Sequence, residues 1–499
     1  MNNTKIASVL KNLTRITMPL LITLVGLFNG TNVQAQVRKN IVIYGKLSTA
    51  FAKELKNTLD FDVYTEMYGV ADSNLHQTYT AHVTGNTFKV VIKPKSDFIY
   101  FVCDSFPVVV FRYLLMAKPG DSLYFDVKSK DDFSFKSNHE DYYQCQLELN
   151  KATENITGQN VAPQGVAYFK FYENRRDTIL NIIDSTLNSF QNTIDPTSLT
   201  LLRVNYMSNL NLSYEAMLGA KILYEGNYTD LEKKTAIAYV RDLYAKEKAL
   251  SDPLIIRNSI WYGTYIYDLE RLYNGLENST ENFRQERFEK AYNMINTRYS
   301  GLLREKLLTI FFIRSSIESN QSAAYLEKSF LTIQDPLYKK ILLELERSKI
   351  PGNDAYPFSL ESENGKVYSL SDFKGKVLVC DFWYNGCGGC AGLATVMLPL
   401  KEKYKNDPNV VFLSINTDEK EERWKNGIAR GIYTSAHDLN LYTNGLGSHH
   451  PMITFYKYSF YPQLLLIDKE GKIINSSPQK PSDKESLEQL DILIQSYLK

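Results

Sequence analysis

One stretch constrains this chain more than any other: Val377-Leu378-Val379-Cys380-Asp381-Phe382-Trp383-Tyr384-Asn385-Gly386-Cys387-Gly388-Gly389-Cys390. A short, β-branched, apolar run carrying one acid reads as a buried strand. From Ala391 onward, the spacing of Leu393, Val396, Met397 and Leu400 is that of a helix. Cys387 therefore falls where a strand turns into a helix. The unpaired N–H groups and the positive end of the helix dipole at such a place favour a thiolate over a thiol. The thiolate is the nucleophilic form of cysteine. Cys390, one turn later, faces the same way and can close a disulfide with Cys387.

The stretch resembles the active-site segment of thioredoxin-fold proteins, and most closely that of the TlpA/ResA-like thiol–disulfide oxidoreductases of bacterial envelopes. Pro357-Phe358-Ser359-Leu360, followed by Leu370-Ser371-Asp372-Phe373-Lys374-Gly375-Lys376, is similar to that family's entry segment. Asp381 lies six residues before Cys387, where thioredoxins carry a buried acid. Phe460-Tyr461-Pro462-Gln463-Leu464-Leu465-Leu466-Ile467-Asp468 resembles the family's cis-proline loop and the strand after it. The resemblance covers roughly the last 150 residues, one domain's worth. Three positions depart from it. Gly386 stands where the family usually has Trp, Gly388-Gly389 replaces Gly-Pro, and Thr395 stands where a helix proline is expected. Two glycines make a looser loop than Gly-Pro, which leaves the redox potential and the direction of reaction open.

The resemblance implies roles. Cys387 attacks a substrate disulfide and Cys390 resolves the mixed disulfide. Asp381, buried and with a raised pKa, accepts the proton of Cys390. Pro462 is expected to be cis and to face the two sulfurs. The backbone at Tyr461 would pair with an extended substrate segment, and Tyr461 and Trp383 are the candidate substrate-binding residues. The implied partners are protein disulfides and thiols, together with a membrane electron donor of the thiol-relay type. No cofactor and no metal are implied.

Other readings of the cysteine pair exist. A zinc site would need two more ligands, and there is no second Cys-x-x-Cys. His449 and His450 are adjacent and read as solvent-facing loop residues. A peroxidase of the related peroxiredoxin group would carry Thr three residues before the reactive cysteine, where this chain has Tyr384. The remaining alternative is a redox-inert envelope protein of binding or assembly, with a vestigial thioredoxin-like domain.

The expected fold is multidomain: an N-terminal all-β sandwich over 36–138, an α-helical middle over 139–349, and a C-terminal α/β thioredoxin-like domain over 350–499. Residues 1–35 read as a signal peptide. Lys5, Lys11 and Arg15 form its basic region, Pro19 to Phe28 its apolar stretch, and Asn32-Val33-Gln34-Ala35 ends in a small-x-small cleavage pattern after Ala35. The expected location is the periplasm, with membrane anchoring if the leader stays uncleaved. A net charge of +1 argues against a nucleic-acid partner.

Within the β region, Ile41–Gly45, Thr87–Ile92, Phe98–Val102 and Leu123–Val127 read as strands. In the helical region, Ile179, Ile182, Ile183, Leu187 and Phe190 form a stripe. Asp195-Pro196, Asp252-Pro253 and Asp335-Pro336 each read as an N-cap followed by a proline at the first helical position. Six to eight helices are expected. The tyrosines Tyr262, Tyr265, Tyr267 and Tyr273 read as helix packing rather than a partner groove. The breaker-rich segment 349–357 marks the boundary of the last domain. Beyond it, Val410–Asn416 is expected as a strand, Glu419–Ile428 as a helix with Trp424 inward, and a final helix from Lys484 capped by Ser482 with Glu485. Of the other cysteines, Cys380 reads as a packed thiol, and the sequence leaves open whether Cys103 and Cys145 form a bridge.

Overall fold

Alternating apolar residues build the first part of the molecule. Eight strands, β1 (Ile41–Leu47), β2 (Thr58–Tyr64), β3 (His76–His82), β4 (Thr87–Ile92), β5 (Ile99–Val102), β6 (Leu115–Ala117), β7 (Ser122–Val127) and β8 (Phe133–Ser137), form two four-stranded sheets. Their orders are β4-β1-β7-β8 and β3-β2-β5-β6. Ile41, Ile43, Phe88 and Phe125 of the first sheet share one buried core with Phe61 and Phe101 of the second. The structure is a computed structural model and describes residues 38–54, 58–65, 76–103, 113–129, 132–157, 163–223, 229–277, 284–315, 320–458 and 460–498. The expected leader lies outside the described residues. Strands β2, β3, β6 and β8 escaped the sequence reading. β3 is His-Gln-Thr-Tyr-Thr-Ala-His, with one buried residue, and β6 is three residues long.

From Glu140 to Lys349 the chain is helical. Ten helices occur among the described residues, more than the six to eight expected. The excess includes the six-residue helix Pro253–Asn258, too short to show a stripe. The Asp-Pro caps form as the sequence indicates. Asp195 accepts the Ser198 N–H at 2.9 Å, Asp252 accepts from Leu254 and Ile255, and Asp335 accepts from Leu337 and Tyr338. Each satisfies N–H groups that the first helical turn leaves over. The tyrosines pack inward. Tyr262 and Tyr265 are buried, with the Tyr262 hydroxyl accepting the Leu250 N–H and the Tyr265 hydroxyl donating to Glu247. Tyr273 stacks on Tyr244 at 3.8 Å.

The last third is a seven-stranded sheet of order β10-β9-β13-β12-β11-β14-β15. Its strands are β9 (Ser359–Ser362), β10 (Val367–Ser369), β11 (Val377–Trp383), β12 (Val410–Asn416), β13 (Asp438–Tyr442), β14 (Gln463–Ile467) and β15 (Ile473–Asn475). β11, β12 and β13 are parallel, and β14 lies antiparallel to β11. Every residue of β11 is buried. Leu378, Cys380 and Phe382 face one core, while Val377 and Val379 face another, under the helix Gly388–Tyr404. β13 was not expected, because Asp438 and Asn440 interrupt its apolar pattern. Trp424 is buried on the helix Glu421–Ala429. The final helix, Lys484–Ser496, corrects the expected cap. Asp483, not Ser482, is the N-cap, and its box partner is Ser486, not Glu485. The Asp483 carboxylate accepts the Ser486 N–H at 2.8 Å, a reach that a serine one residue earlier does not make.

The segment after Lys349 is pinned rather than loose. Gly352 N–H donates to Ile473 O, Ile473 N–H to Asn353 O, and Ala355 N–H to Gly471 O, all within 3.0 Å. Cys103, Cys145 and Cys380 are buried thiols, so no Cys103–Cys145 bridge is formed.

Candidate active site

Strand β11 ends at Trp383, and the chain must then turn into the helix Gly388–Tyr404 within four residues. Gly386 takes φ +110°, a backbone conformation that disfavours side chains. The turn is clamped from the next parallel strand. Asp418, buried just after β12, accepts the Asn385 N–H at 2.8 Å, the Asn416 side-chain amide at 2.9 Å and the Arg423 Nε–H at 2.9 Å. Arg423 also donates to the Asn385 carbonyl, and the Gly386 N–H donates to the Tyr433 hydroxyl at 2.9 Å. The clamp hands the chain to the helix with Cys387 as its N-cap.

Cys387 and Cys390 form a disulfide, with Cα atoms 5.3 Å apart. The Cys390 N–H donates to Cys387 Sγ at 3.1 Å. One of the first-turn N–H groups that favour a thiolate is thus aimed at this sulfur. Both cysteines are buried, Cys387 with 4% of its surface exposed and Cys390 with 1%. Gly388 and Gly389 are exposed above the pair.

The Tyr461–Pro462 peptide bond is cis. A Cβ added at Gly389 would stand 3.2 Å from Pro462 Cδ, so the proline packs against the Cys-Gly-Gly-Cys turn. Tyr461 is half-buried, and its ring meets that of Tyr384 edge-on at 5.7 Å. Tyr384 is 39% exposed and Phe460 54%, which gives the sulfurs an aromatic rim.

Trp383 must be reassigned. It was expected to touch substrate, but it is fully buried. Its indole N–H donates to Ser414 Oγ at 2.7 Å, and its ring stacks on Tyr433 at 4.8 Å. β11 is covered on both faces, so its last residue is buried like the rest, and Tyr384, just past the strand, is the aromatic residue that faces solvent. His450 also differs from expectation. It is buried, and Nδ1 accepts the Met452 N–H to cap the helix Pro451–Tyr456. His437 is exposed, against Glu402. Among the described residues no group of three or more His, Cys, Asp or Glu is arranged to hold a metal ion.

Asp381 lies on the face of β11 shared by Val379 and Trp383. Val379 packs beneath Leu393 and Met397 of the active-site helix, and Trp383 beside Cys387 and Cys390. Asp381 therefore sits under the first turns of that helix. The residue is 5% exposed, and its buried Oδ1 has no hydrogen-bond partner among the described residues. Burial pushes its pKa up to about 7, against the attraction of Lys401 and with the repulsion of Asp438. Lys401 and Asp438 form a buried ion pair at 2.7 Å.

Sequence reasoning missed Asp418, Arg423, Tyr433, Lys401 and Asp438. One signal was available for the first: Asn416-Thr417-Asp418 stands at the carboxyl end of a parallel strand beside β11, where sites in such sheets collect. We expect Asp418→Ala to destabilise the fold by about 2–3 kcal/mol, because it strands the Asn385 N–H and the Asn416 amide. Urea unfolding measures this, and an unchanged midpoint would contradict the clamp.

A parallel-centred sheet, a dithiol pair at a helix N-terminus and a cis-proline against it define a thiol-redox domain of the thioredoxin class. Residues 350–491 match the Redoxin family model. The chain is 28% identical over 159 residues to the thiol–disulfide oxidoreductase ResA of Bacillus cereus, covering 32% of this chain and 84% of that protein. It is 29% identical over 163 residues to ResA of Bacillus thuringiensis subsp. konkukian, covering 33% and 84%. A solved thiol:disulfide interchange protein from Bacteroides sp. is 25% identical, with a TM-score of 0.25, covering 30% of this chain and 92% of that one. The last third of the chain is TlpA/ResA-like and has the thioredoxin fold, and it makes the chain an enzyme of the thiol–disulfide oxidoreductase class. The redox-inert alternative is not favoured.

Proposed function

We propose that this chain is exported and reduces or isomerises protein disulfides in the periplasm with the Cys387–Cys390 pair. The observation that carries this reading is the pair itself, bonded across the first turn of a helix with Cys387 as cap and Pro462 against it. In the reduced enzyme, the Cys387 thiolate attacks one sulfur of a substrate disulfide. A Cys387–substrate bond forms, the substrate S–S bond breaks, and the departing sulfur takes a proton from water. Cys390 then gives its proton to Asp381 and attacks Cys387 Sγ. The Cys387–Cys390 bond forms as the second substrate sulfur leaves with its electron pair. The substrate gains two electrons and the enzyme loses them.

Turnover then needs a dithiol donor, and the proposed donor is a membrane thiol relay. The exposed rim of Tyr384 and Phe460 suits an extended peptide, with the backbone at Tyr461 as its pairing edge. Export rests on the basic and apolar leader ending in Ala35. The test is dithiothreitol-driven reduction of a protein disulfide, together with the equilibrium of the pair against glutathione. Catalytic reduction with a potential below that of glutathione is expected. A full chain that does not accelerate the reaction would overturn the reading, and a potential far above glutathione would reverse its direction.

A further inference from the structure

The chain carries a second concave site, away from the cysteines. A cavity of about 650 Å³ opens where three parts of the molecule meet. One wall is an end of the sheet β3-β2-β5-β6, where β2, β3 and β5 meet beside residues 93–95, a second is the helix Pro336–Lys349, and the third is the helix Pro451–Tyr456 with the residues beside it. Its size lies within the range of small-ligand sites.

Its charge is out of keeping with the rest of the chain. Lys93, Lys95, Lys340, Arg347 and Lys457 line it, against the single carboxylate of Glu344. That is a net of four positive charges in a protein whose total is +1. Glu344 is already shared, at 2.7 Å from Lys457 and 3.9 Å from Lys340. Among the described residues no carboxylate pairs with Lys93, Lys95 or Arg347. The floor adds apolar surface from Val63, Ile99 and Phe455. Low-dielectric walls under like charges focus the field on whatever enters.

His76 also lines the cavity, with its side chain only 4% exposed. Its Nε2 lies 3.4 Å from Asp62 and its ring meets that of His449 edge-on at 4.6 Å, so the lysines and the arginine, not this imidazole, supply the donors for an anion.

We propose that this junction binds a small multivalent oxyanion, bridging Lys93 and Lys95 of the β region, Arg347 of the helical region and Lys457 of the redox domain. More than one negative group is needed, because the cations stand on three separate walls. Phosphoryl and carboxylate ligands share this chemistry.

The test is calorimetric titration of the full chain with pyrophosphate and, separately, with citrate, at about 0.15 M salt so that long-range attraction is screened. Saturable one-to-one binding of either anion is expected. A response to pyrophosphate alone marks a phosphoryl ligand, and one to citrate alone a carboxylate ligand. The double variant Lys95→Ala, Arg347→Ala removes two of the lining cations and should weaken binding about tenfold. Lys46→Ala with Lys89→Ala, on the outward face of β1 and β4, should leave it unchanged. No saturable binding of either anion, or equal loss in both double variants, would overturn the proposal.

Discussion

Cys387→Ser abolishes the oxidoreductase activity, lowering the rate of disulfide reduction by about three orders of magnitude or more. The serine hydroxyl does not ionise near neutral pH, and its oxygen cannot form the mixed disulfide. The loss should not come from unfolding. Cys387 is the N-cap of the helix Gly388–Tyr404 and accepts the Cys390 N–H. Serine is a favoured N-cap and keeps an acceptor there. The disulfide closes a loop with a separation of only three residues, so its removal changes the unfolded chain little. Thermal unfolding should therefore stay within a few degrees of the parent while turnover vanishes. Activity that survived this substitution would move the chemistry to another cysteine.

Asp381→Asn is expected to do two opposite things. The carboxyl is held at about 7 against an ordinary value near 3.8, chiefly by burial. The folded protein therefore keeps this proton at pH values where the unfolded chain releases it. Stability due to this group is complete below about pH 4 and falls as pH rises through 7. Ionising it in place costs on the order of 4 kcal/mol above neutrality. The neutral amide of the variant carries no such cost, so the variant should gain stability, by about 1–4 kcal/mol at pH 8 and little at pH 4. The same change removes the proposed proton acceptor of Cys390. Resolution of the mixed disulfide should slow about 10–100-fold, and its rise with pH near 7 should disappear. Urea unfolding at the two pH values checks the first effect and stopped-flow kinetics the second. A variant less stable than the parent at pH 8 would show that the acid is a structural partner.

The cysteine turn, its strand and its helix were legible because each obeys a local rule. β11 is short and β-branched, the helix keeps its apolar stripe, and the Asp-Pro caps announce themselves. The cis bond before Pro462 and the burial of Asp381 were legible only through resemblance, since nothing local singles out one proline or one acid. The residues that hold the site were not legible. Asp418, Arg423 and Tyr433 reach the turn from sequence distances of 33 to 47 residues, through a sheet whose order the sequence does not state. Trp383 misled because its type suits an interface, while it belongs to a strand that is covered on both faces. β13 was hidden by Asp438, whose buried carboxylate is met by Lys401 and by the N–H and hydroxyl of Ser435.

The most direct measurement is the trapping of the exchange intermediate. With Cys390→Ser, the second step is blocked and the first is not. Reduced variant mixed with a disulfide-bonded protein substrate should accumulate a one-to-one conjugate, and peptide mass spectrometry should place the bond at Cys387. No conjugate, or one formed through Cys103, Cys145 or Cys380, would contradict the account.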